Sequence, residues 1–306
     1  MNLAETIKKT EVSPGSIAFF FLGQAGFCFK FSNGKTLFLD AYLGDSCYRL
    51  FGFKRMTPTV IRPEEVSADI FFSTHSHADH LDPDTLDIIA GNKSIYFLGS
   101  PDCAGIYRKA GIPENRYGVL KCGQEKEICG LKLKAVYADH GDLAPDATGL
   151  LIDYDGIKIY NAGDTAYAPD KIISSLYEKV GRGVSGLLRR SKASGCEGWT
   201  EPSDEERLTL RVRPTSGKEI KLPPFTRSKS EIDVMIAPIN GAFGNMNSVE
   251  ACRLAGLVKP KIVIPVHFWM FVEHNGNPAE FLKEAQKLSV GIKPLILAPG
   301  EKFVYQ

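Results

Sequence analysis

The stretch FFSTHSHADHLD, residues 71–82, places three histidines and one aspartate within six consecutive positions. The whole chain of 306 residues contains only six histidines, so half of them lie in this one segment. In an extended segment, residues two apart point to the same side, so His75 and His77 can hold one ion together. The chain then turns towards a predicted helix, which can direct Asp79 and His80 at a second point nearby. Imidazole and carboxylate groups suit zinc, iron or manganese, so we interpret this segment as a metal site.

Further candidate ligands follow predicted strands elsewhere in the chain. His140 comes just after LKAVYA, Asp164 closes KIYNAGD, and His267 closes KIVIPVH. Loops at strand ends converge in layered folds, so we expect these side chains to approach the first motif. Only His274 falls outside this pattern, and we interpret it as an ordinary polar surface residue.

The rest of the pattern predicts a mixed α/β architecture. Short apolar runs such as SIAFFFLG, GFCFKF and TLFLDAY, separated by Gly, Asn and Asp, predict strands. Asp155 and Gly156 predict the turn of a hairpin. Asp82 and Pro83 predict the start of a helix, because aspartate is a favoured N-cap and proline a favoured first helical residue. Strand-rich layers with flanking helices favour two packed sheets covered by helices.

Composition argues against several classes of protein. The formal net charge of +1 gives no overall electrostatic reason to bind nucleic acid or an anionic membrane. No apolar segment follows the lysines near the N-terminus, and the run IAFFFLG is too short to span a bilayer. The seven cysteines are scattered and form no C-x-x-C pair. We therefore expect neither a disulfide framework nor a thiolate zinc site, and we predict a cytoplasmic protein.

One segment, 181–230, interrupts the regular order of strands and helices. It is rich in Gly, Ser, Pro and Arg, lacks periodicity, and carries eleven Lys or Arg against six Asp or Glu. We interpret it as an inserted loop within a single domain spanning 1–306. A short Gly/Ser linker in its place should leave the protein folded and metallated, because closure entropy changes slowly with loop length.

Four motifs occur in a characteristic order along the chain: THSHADHLD, DHGDLAPDATGLLI, NAGDTAY and VIPVHFW. Together they resemble the metallo-β-lactamase superfamily, and within it the L-ascorbate-6-phosphate lactonase-like group is the most similar. FLGQAGFCFKF near the start and KPLILAPGEKF near the end add to that likeness. The resemblance covers residues 17–178 and 231–305. It implies an αββα four-layer sandwich, of the α/β class, with metals at one edge between two sheets.

The resemblance also implies two divalent ions, zinc or manganese. It assigns three histidines to the first ion and one carboxylate with two histidines to the second, while Asp164 bridges both. The two sets are His75, His77 and His140, and Asp79, His80 and His267. Asp79 has a second implied role as the catalytic residue that orients the nucleophile or accepts its proton. Asp40 is either a carboxylate that holds a ligand imidazole or a turn residue.

The implied chemistry is hydrolysis. Two divalent ions about 3.5–4 Å apart can share a hydroxide near neutral pH, which can attack an ester carbonyl or a phosphorus centre. We predict a lactonase that acts on a small polar or phosphorylated sugar acid. A phosphodiesterase or nuclease with the same dinuclear centre is one alternative, and a non-catalytic metal-binding regulatory module is another. The predicted partner is a small-molecule substrate, with no nucleic acid and no membrane, and a homo-oligomer remains open.

Overall fold

The computed structural model describes residues 2–177, 231–288 and 291–306. The predicted insertion, 181–230, lies outside the described residues, so its interpretation as a loop within one domain stays a prediction. Within the described residues, fourteen strands form two sheets of seven strands each, and seven α-helices accompany them.

The first sheet contains the early strands together with the last one. Its strands are β1 (Ile17–Gly23), β2 (Gly26–Phe31), β3 (Thr36–Leu39), β4 (Ile70–Ser73), β5 (Tyr96–Gly99), β6 (Tyr117–Val119) and β14 (Lys302–Tyr305). Their order across the sheet is β14-β1-β2-β3-β4-β5-β6. Pairing is antiparallel from β14 to β3 and parallel from β3 to β6. The predicted metal motif therefore follows a strand in the parallel part of this sheet.

The second sheet repeats that arrangement with the later strands. Its strands are β7 (Glu125–Ile128), β8 (Leu131–Tyr137), β9 (Thr148–Tyr154), β10 (Ile157–Asn161), β11 (Val234–Pro238), β12 (Ile262–Val266) and β13 (Lys293–Pro294). Their order is β13-β12-β11-β10-β9-β8-β7, antiparallel from β7 to β10 and parallel from β10 to β13. The C-terminal ends of β8, β10, β11 and β12 consequently lie at one edge of the sheet.

Most of the described helices cover the outer faces of the two sheets. The described helices are α1 (Leu3–Lys9), α2 (Ser46–Phe51), α3 (Pro83–Ile89), α4 (Cys103–Lys109), α5 (Pro169–Leu176), α6 (Ser248–Val258) and α7 (Pro278–Ala285). Leu3 of α1, Ile89 of α3 and Tyr107 of α4 share one core cluster with Phe20 of β1. On the second sheet, α5 packs on β8 and α6 packs on β11. None of the described helices is long and apolar enough to cross a membrane.

The two sheets pack face to face. Phe31 of β2 and Tyr154 of β9 contact each other with ring centroids 4.9 Å apart. All seven residues of β1 are buried, because one face of the strand meets helices and the other meets the opposite sheet. The chain is therefore an αββα four-layer sandwich, as predicted.

Local signals in the sequence correspond to local features of the fold. The Asp82 side chain accepts a hydrogen bond from the Asp84 amide and caps α3, whose first residue is Pro83. Asp155 and Gly156 have φ values of +52° and +79° and connect β9 to β10 as an antiparallel hairpin. Both features confirm the predictions, since caps and tight turns depend on residues within a few positions.

Candidate metal centre

The candidate ligands meet where strand ends from both sheets face each other. The motif of three histidines begins two residues after β4 of the first sheet. His140, Asp164 and His267 follow β8, β10 and β12 of the second sheet. The Thr148 amide donates to the Thr74 carbonyl at 3.0 Å, so the two sheets are joined by a backbone hydrogen bond beside the motif. The structure therefore brings all seven predicted ligands to one edge of the sandwich.

Three histidines form the first group of donors. His75 Nε2 lies 3.0 Å from His77 Nδ1, and His140 Nε2 lies 3.3 Å from the same His77 atom. Each of the three rings offers one nitrogen, and these three nitrogens all lie within 4.8 Å of one another. This grouping is the one that the resemblance implies for the first ion, and its spacing suits three ligands around one cation.

Asp164 stands between this group and a second one. Its Oδ1 lies 3.2 Å from His80 Nε2 and 2.8 Å from His267 Nε2. Its Oδ2 lies 3.7 Å from His140 Nε2, in the first group. Asp79 Oδ2 is 3.5 Å from His80 Nε2 and adds a second carboxylate. The two oxygens of Asp164 thus face different histidines, as a bridging carboxylate would.

Several of these buried atoms have no hydrogen-bond partner in the described part of the chain. They include Asp164 Oδ1, His80 Nε2 and His267 Nε2, which point at one another without hydrogen-bond geometry. Leaving a buried polar atom unpaired is costly, so such atoms call for an explanation. A divalent cation would satisfy all three at once, and imidazole and carboxylate are the donors it prefers. The residues present therefore fit a metal.

Asp40 holds the far side of one candidate ligand. The side chain is fully buried, and its Oδ2 lies 3.1 Å from His80 Nδ1. It also accepts hydrogen bonds from the Thr74 amide at 2.7 Å and the Thr74 hydroxyl at 2.9 Å. Of the two interpretations open from the sequence, the structure favours the carboxylate that orients an imidazole. With Nδ1 held by Asp40, Nε2 of His80 faces Asp164.

The expectation for His274 was wrong. It is not a surface residue: only 7% of it is exposed, and an atom of its ring lies within 4.8 Å of atoms of Asp79 and His267. The Gly276 amide donates to the His267 carbonyl at 2.9 Å, so the loop after β12 folds back on itself. That turn returns His274 to the cluster, and all six histidines of the chain lie there. A separation of seven residues across a loop carries no periodic signal, which is why the sequence did not reveal it.

Gln24 is a second residue that the sequence analysis missed. It is fully buried in the turn between β1 and β2. Its Nε2 lies 2.9 Å from Asp79 Oδ2, 3.0 Å from His267 Nδ1 and 3.3 Å from His274 Nδ1. The amide nitrogen carries only two hydrogens, so it can serve two of these three neighbours at a time. A polar residue inside the apolar run FLGQAGF was the available signal.

Asn245 contacts the bridging candidate, Asp164, in a comparable way. Its Nδ2 donates to Asp164 Oδ2 at 2.8 Å, and the residue belongs to the loop between β11 and α6. Tyr167, three residues after Asp164, is half-buried and is not among the described residues that line the cavity at the site. Packing is therefore the better interpretation of Tyr167.

Burial and neighbouring charges separate the protonation states within the site. Burial lowers the pKa of His75 well below its usual value, and burial likewise lowers the pKa of His140. Burial also opposes the charge of His80, but carboxylates led by Asp164 and Asp79 outweigh it and raise the pKa of His80 well above normal. Burial alone would raise the pKa of Asp164, yet His267 and His80 hold it well below its usual value. At neutral pH the carboxylate is ionised and two imidazoles are neutral, the forms that metal binding requires.

The centre opens into a cavity of about 440 Å³. His77, Asp79, His140 and Asp164 contribute to its lining, together with His274. A volume of this size lies in the range of small-molecule sites. The candidate ligands are therefore accessible to a small substrate from one side.

Comparisons with known proteins agree with this geometry. The sequence profile of the beta-lactamase superfamily domain matches residues 35–180. A metal-dependent hydrolase of Thermococcus onnurineus is 26% identical over 280 residues, which cover 85% of this chain and 96% of that protein. A "Probable L-ascorbate-6-phosphate lactonase UlaG" of Salmonella heidelberg is 22% identical over an alignment of 352 positions, covering 99% of this chain and 85% of that protein.

A solved structure supports the same fold. Igni18, a metallo hydrolase of Ignicoccus hospitalis, superimposes with a TM-score of 0.61 at 19% identity, over 95% of this chain and 99% of that one. At this identity the likeness concerns the fold alone. The profile match, the curated relatives and the buried histidine–carboxylate cluster lead to one conclusion: the chain is a metal-dependent hydrolase that is similar to the metallo-β-lactamase superfamily.

Proposed function

We propose that the chain hydrolyses carboxylic esters, with lactones as the leading substrates, and that it does so with two divalent ions, zinc or manganese. The observation that carries the proposal is the position of Asp164, whose two oxygens face histidines of two different groups. The relative named as a probable lactonase supports the ester chemistry. A small-molecule substrate remains the proposed partner.

The two ligand groups would hold the ions on either side of Asp164. The first consists of His75, His77 and His140. The second draws on three residues around Asp164, namely Asp79, His80 and His267, and His274 lies beside two of them. Ions bound there would act as Lewis acids and make water nucleophilic at neutral pH.

Asp79 is the proposed proton acceptor. It lines the cavity, and Gln24 donates to its Oδ2 at 2.9 Å, which fixes the carboxylate in place. Burial would raise the pKa of Asp79, but the imidazoles led by His80 lower it instead, so the carboxylate is ionised at neutral pH. An ionised, oriented carboxylate at the cavity wall can accept the proton of an attacking water.

An ester substrate suits the cavity better than a phosphodiester does. No lysine or arginine is among the described residues that line the cavity. Phosphoryl transfer and nucleic-acid binding both rely on cationic side chains around the phosphate. The lining therefore favours an uncharged acyl group over the phosphodiesterase alternative.

A hydrolysis panel on the metal-loaded protein tests the proposal. The panel compares lactones with cyclic nucleotides and with an aryl phosphodiester, and includes Asp164→Asn as the inactive reference. We expect lactone hydrolysis that depends on Asp164 and exceeds turnover of either phosphodiester. Efficient phosphodiester cleavage without lactone hydrolysis would replace the proposal with the nuclease-like alternative.

A further inference from the structure

The cavity over the metal centre has a polar floor and apolar walls. Its floor consists of the candidate ligands, whereas its walls carry large apolar side chains from three separate segments of the chain. Leu50 and Phe51 come from α2, Leu143 from the turn after His140, and Phe243 from the loop after β11. These segments lie far apart in the sequence, so their apolar character is a property of the assembled site.

These wall residues are unusually exposed for their type. Leu50, Phe51, Leu143 and Phe243 are 51%, 59%, 56% and 50% exposed. A single exposed apolar side chain needs no explanation, but a contiguous group around a cavity marks a binding site. All four therefore present surface that a ligand can cover.

Aromatic rings connect the mouth of this cavity to its floor. Phe51 contacts Phe53 at 5.9 Å between ring centroids, and Phe53 contacts Phe243 at 6.1 Å. Phe243 in turn contacts the ring of His274 at 5.2 Å. The row ends at a residue whose ring lies beside Asp79 and His267. A flat apolar group lying along these rings would reach the candidate ligands.

The described lining of the same cavity offers no Arg or Lys to a phosphate on the part of a ligand that lies away from the candidate metal ligands. Its polar lining in the described part of the chain includes two carboxylates, Asp79 and Asp164, but no cationic side chain. Arg55, a basic residue close in sequence to Phe53, lies over the Tyr42 ring at 4.7 Å and donates to the carbonyls of Tyr42 and Gly44. Recognition of a phosphate usually relies on Arg or Lys.

We infer that the substrate is a neutral ester or lactone with an aryl or medium-length alkyl group, and not a phosphorylated sugar acid. This inference rests on the proposed ester hydrolysis and names its substrate class. The apolar group packs between Leu50, Phe53 and Phe243 while the ester faces the ligand cluster. Water adds across the acyl–oxygen bond: its oxygen bonds to the acyl carbon, the ester oxygen leaves, and that oxygen takes up a proton.

A comparison of three lactones on the metal-loaded full chain tests the inference. The substrates are γ-phenyl-γ-butyrolactone, unsubstituted γ-butyrolactone and 6-phosphogluconolactone. We expect kcat/KM to be roughly 10- to 100-fold higher for the phenyl compound than for the unsubstituted one, as burial of a phenyl group predicts. Equal or faster turnover of the phosphorylated lactone would overturn the inference while leaving the hydrolase intact.

Two leucines provide a matched pair of variants. Leu50 on α2 is 51% exposed and lines the cavity, whereas Leu257 on α6 is 49% exposed and is not among its lining residues. Leu50→Ala should lower kcat/KM for the phenyl lactone roughly three- to ten-fold more than it lowers kcat/KM for γ-butyrolactone. Leu257→Ala should change neither value. Equal effects of both variants would contradict a role for the apolar wall.

A binding measurement separates the substrate class from the chemistry. The probe is 2-phenyltetrahydrofuran, a neutral ether that lacks the carbonyl and cannot be hydrolysed, titrated calorimetrically into the metal-free full chain. We expect binding that weakens roughly ten-fold in Phe243→Ala and is unchanged in Leu257→Ala. Binding of the ether without turnover of any lactone would overturn the proposed hydrolysis and support the apolar ligand class. Absence of binding would overturn the apolar class.

Discussion

Asp164 and Asp233 are two buried carboxylates of the same sheet with opposite surroundings. Asp164 follows β10 and Asp233 precedes β11, and these strands are parallel neighbours, so the two residues lie at opposite edges. Asp233 accepts hydrogen bonds from the Lys158 amide at 2.8 Å and the Tyr305 hydroxyl at 2.7 Å. Lys261 Nζ lies 2.6 Å from the same carboxylate. Both of its oxygens therefore have partners within the protein.

Asp164 is buried to a similar degree, at 5% exposed against 8% for Asp233, yet its Oδ1 has no hydrogen-bond partner in the described residues. That oxygen faces the imidazoles of His80 and His267 instead. A satisfied buried carboxylate stabilises the fold, whereas an unsatisfied one costs free energy unless a ligand completes it. The comparison therefore indicates where the protein is built for stability and where it is built to bind a cation.

Removal of the metal should have the largest effect. A chelator should abolish turnover while far-UV circular dichroism stays near that of the loaded protein, because the two-sheet core does not depend on the site. Elemental analysis should find about two transition-metal ions per chain. At a metal concentration 100 times Kd, each ion should stabilise the fold by about 2.7 kcal/mol. A protein without bound metal and without rescue by zinc or manganese would contradict the assignment.

Substitution of the bridging carboxylate comes next in size. Asp164→Asn should lower kcat about 1000-fold, which corresponds to about 4 kcal/mol of activation free energy. His77→Ala should act in the same direction, because it removes a donor from the first group. Asp233→Asn, the matched change at the satisfied carboxylate, should leave kcat within about two-fold. Steady-state kinetics and metal content of the three variants provide the measurement, and equal losses at Asp164 and Asp233 would remove the distinction between them.

His274→Ala should have an intermediate effect. Its buried place beside Asp79 and His267 predicts a loss of roughly 10- to 100-fold in metal affinity or activity, the range observed when a neighbour of a metal ligand is removed. Metal affinity measured by competition with a chromophoric chelator, together with kcat/KM, checks this. Wild-type values for both quantities would restore the surface interpretation that the sequence suggested.

The smallest expected effect concerns the stability contributed by Asp233. Burial would raise the pKa of Asp233, but hydrogen bonds led by that of Lys261 lower it below the usual carboxyl value. Because this pKa is lower in the folded protein, the ionised carboxylate stabilises the fold at pH values above the ordinary carboxyl pKa of about 4. The stabilisation is lost as the pH falls through the pKa that Asp233 has in the folded protein. Asp233→Asn should lower Tm by a few degrees at pH 7, since ~1 kcal/mol corresponds to roughly 2–4 °C in a large domain. Calorimetry at pH 7 and pH 3 should show that the difference in Tm between the wild type and Asp233→Asn is smaller in acid. An equal difference at both pH values would contradict the stabilising role of the ionised Asp233 carboxylate.

The expectation of a phosphorylated sugar acid came from the resemblance to a subgroup and not from this chain's own cavity. Leu50, Leu143 and Phe243 are separated by about a hundred residues from one to the next, and only Leu143 belongs to a motif. Their common position depends on how α2 and two loops are placed by the sandwich. Sequence patterns therefore predict the candidate ligands of the centre, whereas the shape and polarity of the space above it depend on the tertiary structure.

The sequence by itself determined the features that depend on near neighbours. The strand–loop–helix arrangement around His75 and His77, the Asp82 cap and the turn at Asp155 follow from backbone preferences within a few residues. The ordered motifs indicated the superfamily and the seven candidate ligands. The tertiary structure alone brought Gln24 within 3.0 Å of His267, although 243 positions separate them, and returned His274 to the cluster. Contacts across such distances arise from the packing of two sheets, and no local preference of the chain encodes them.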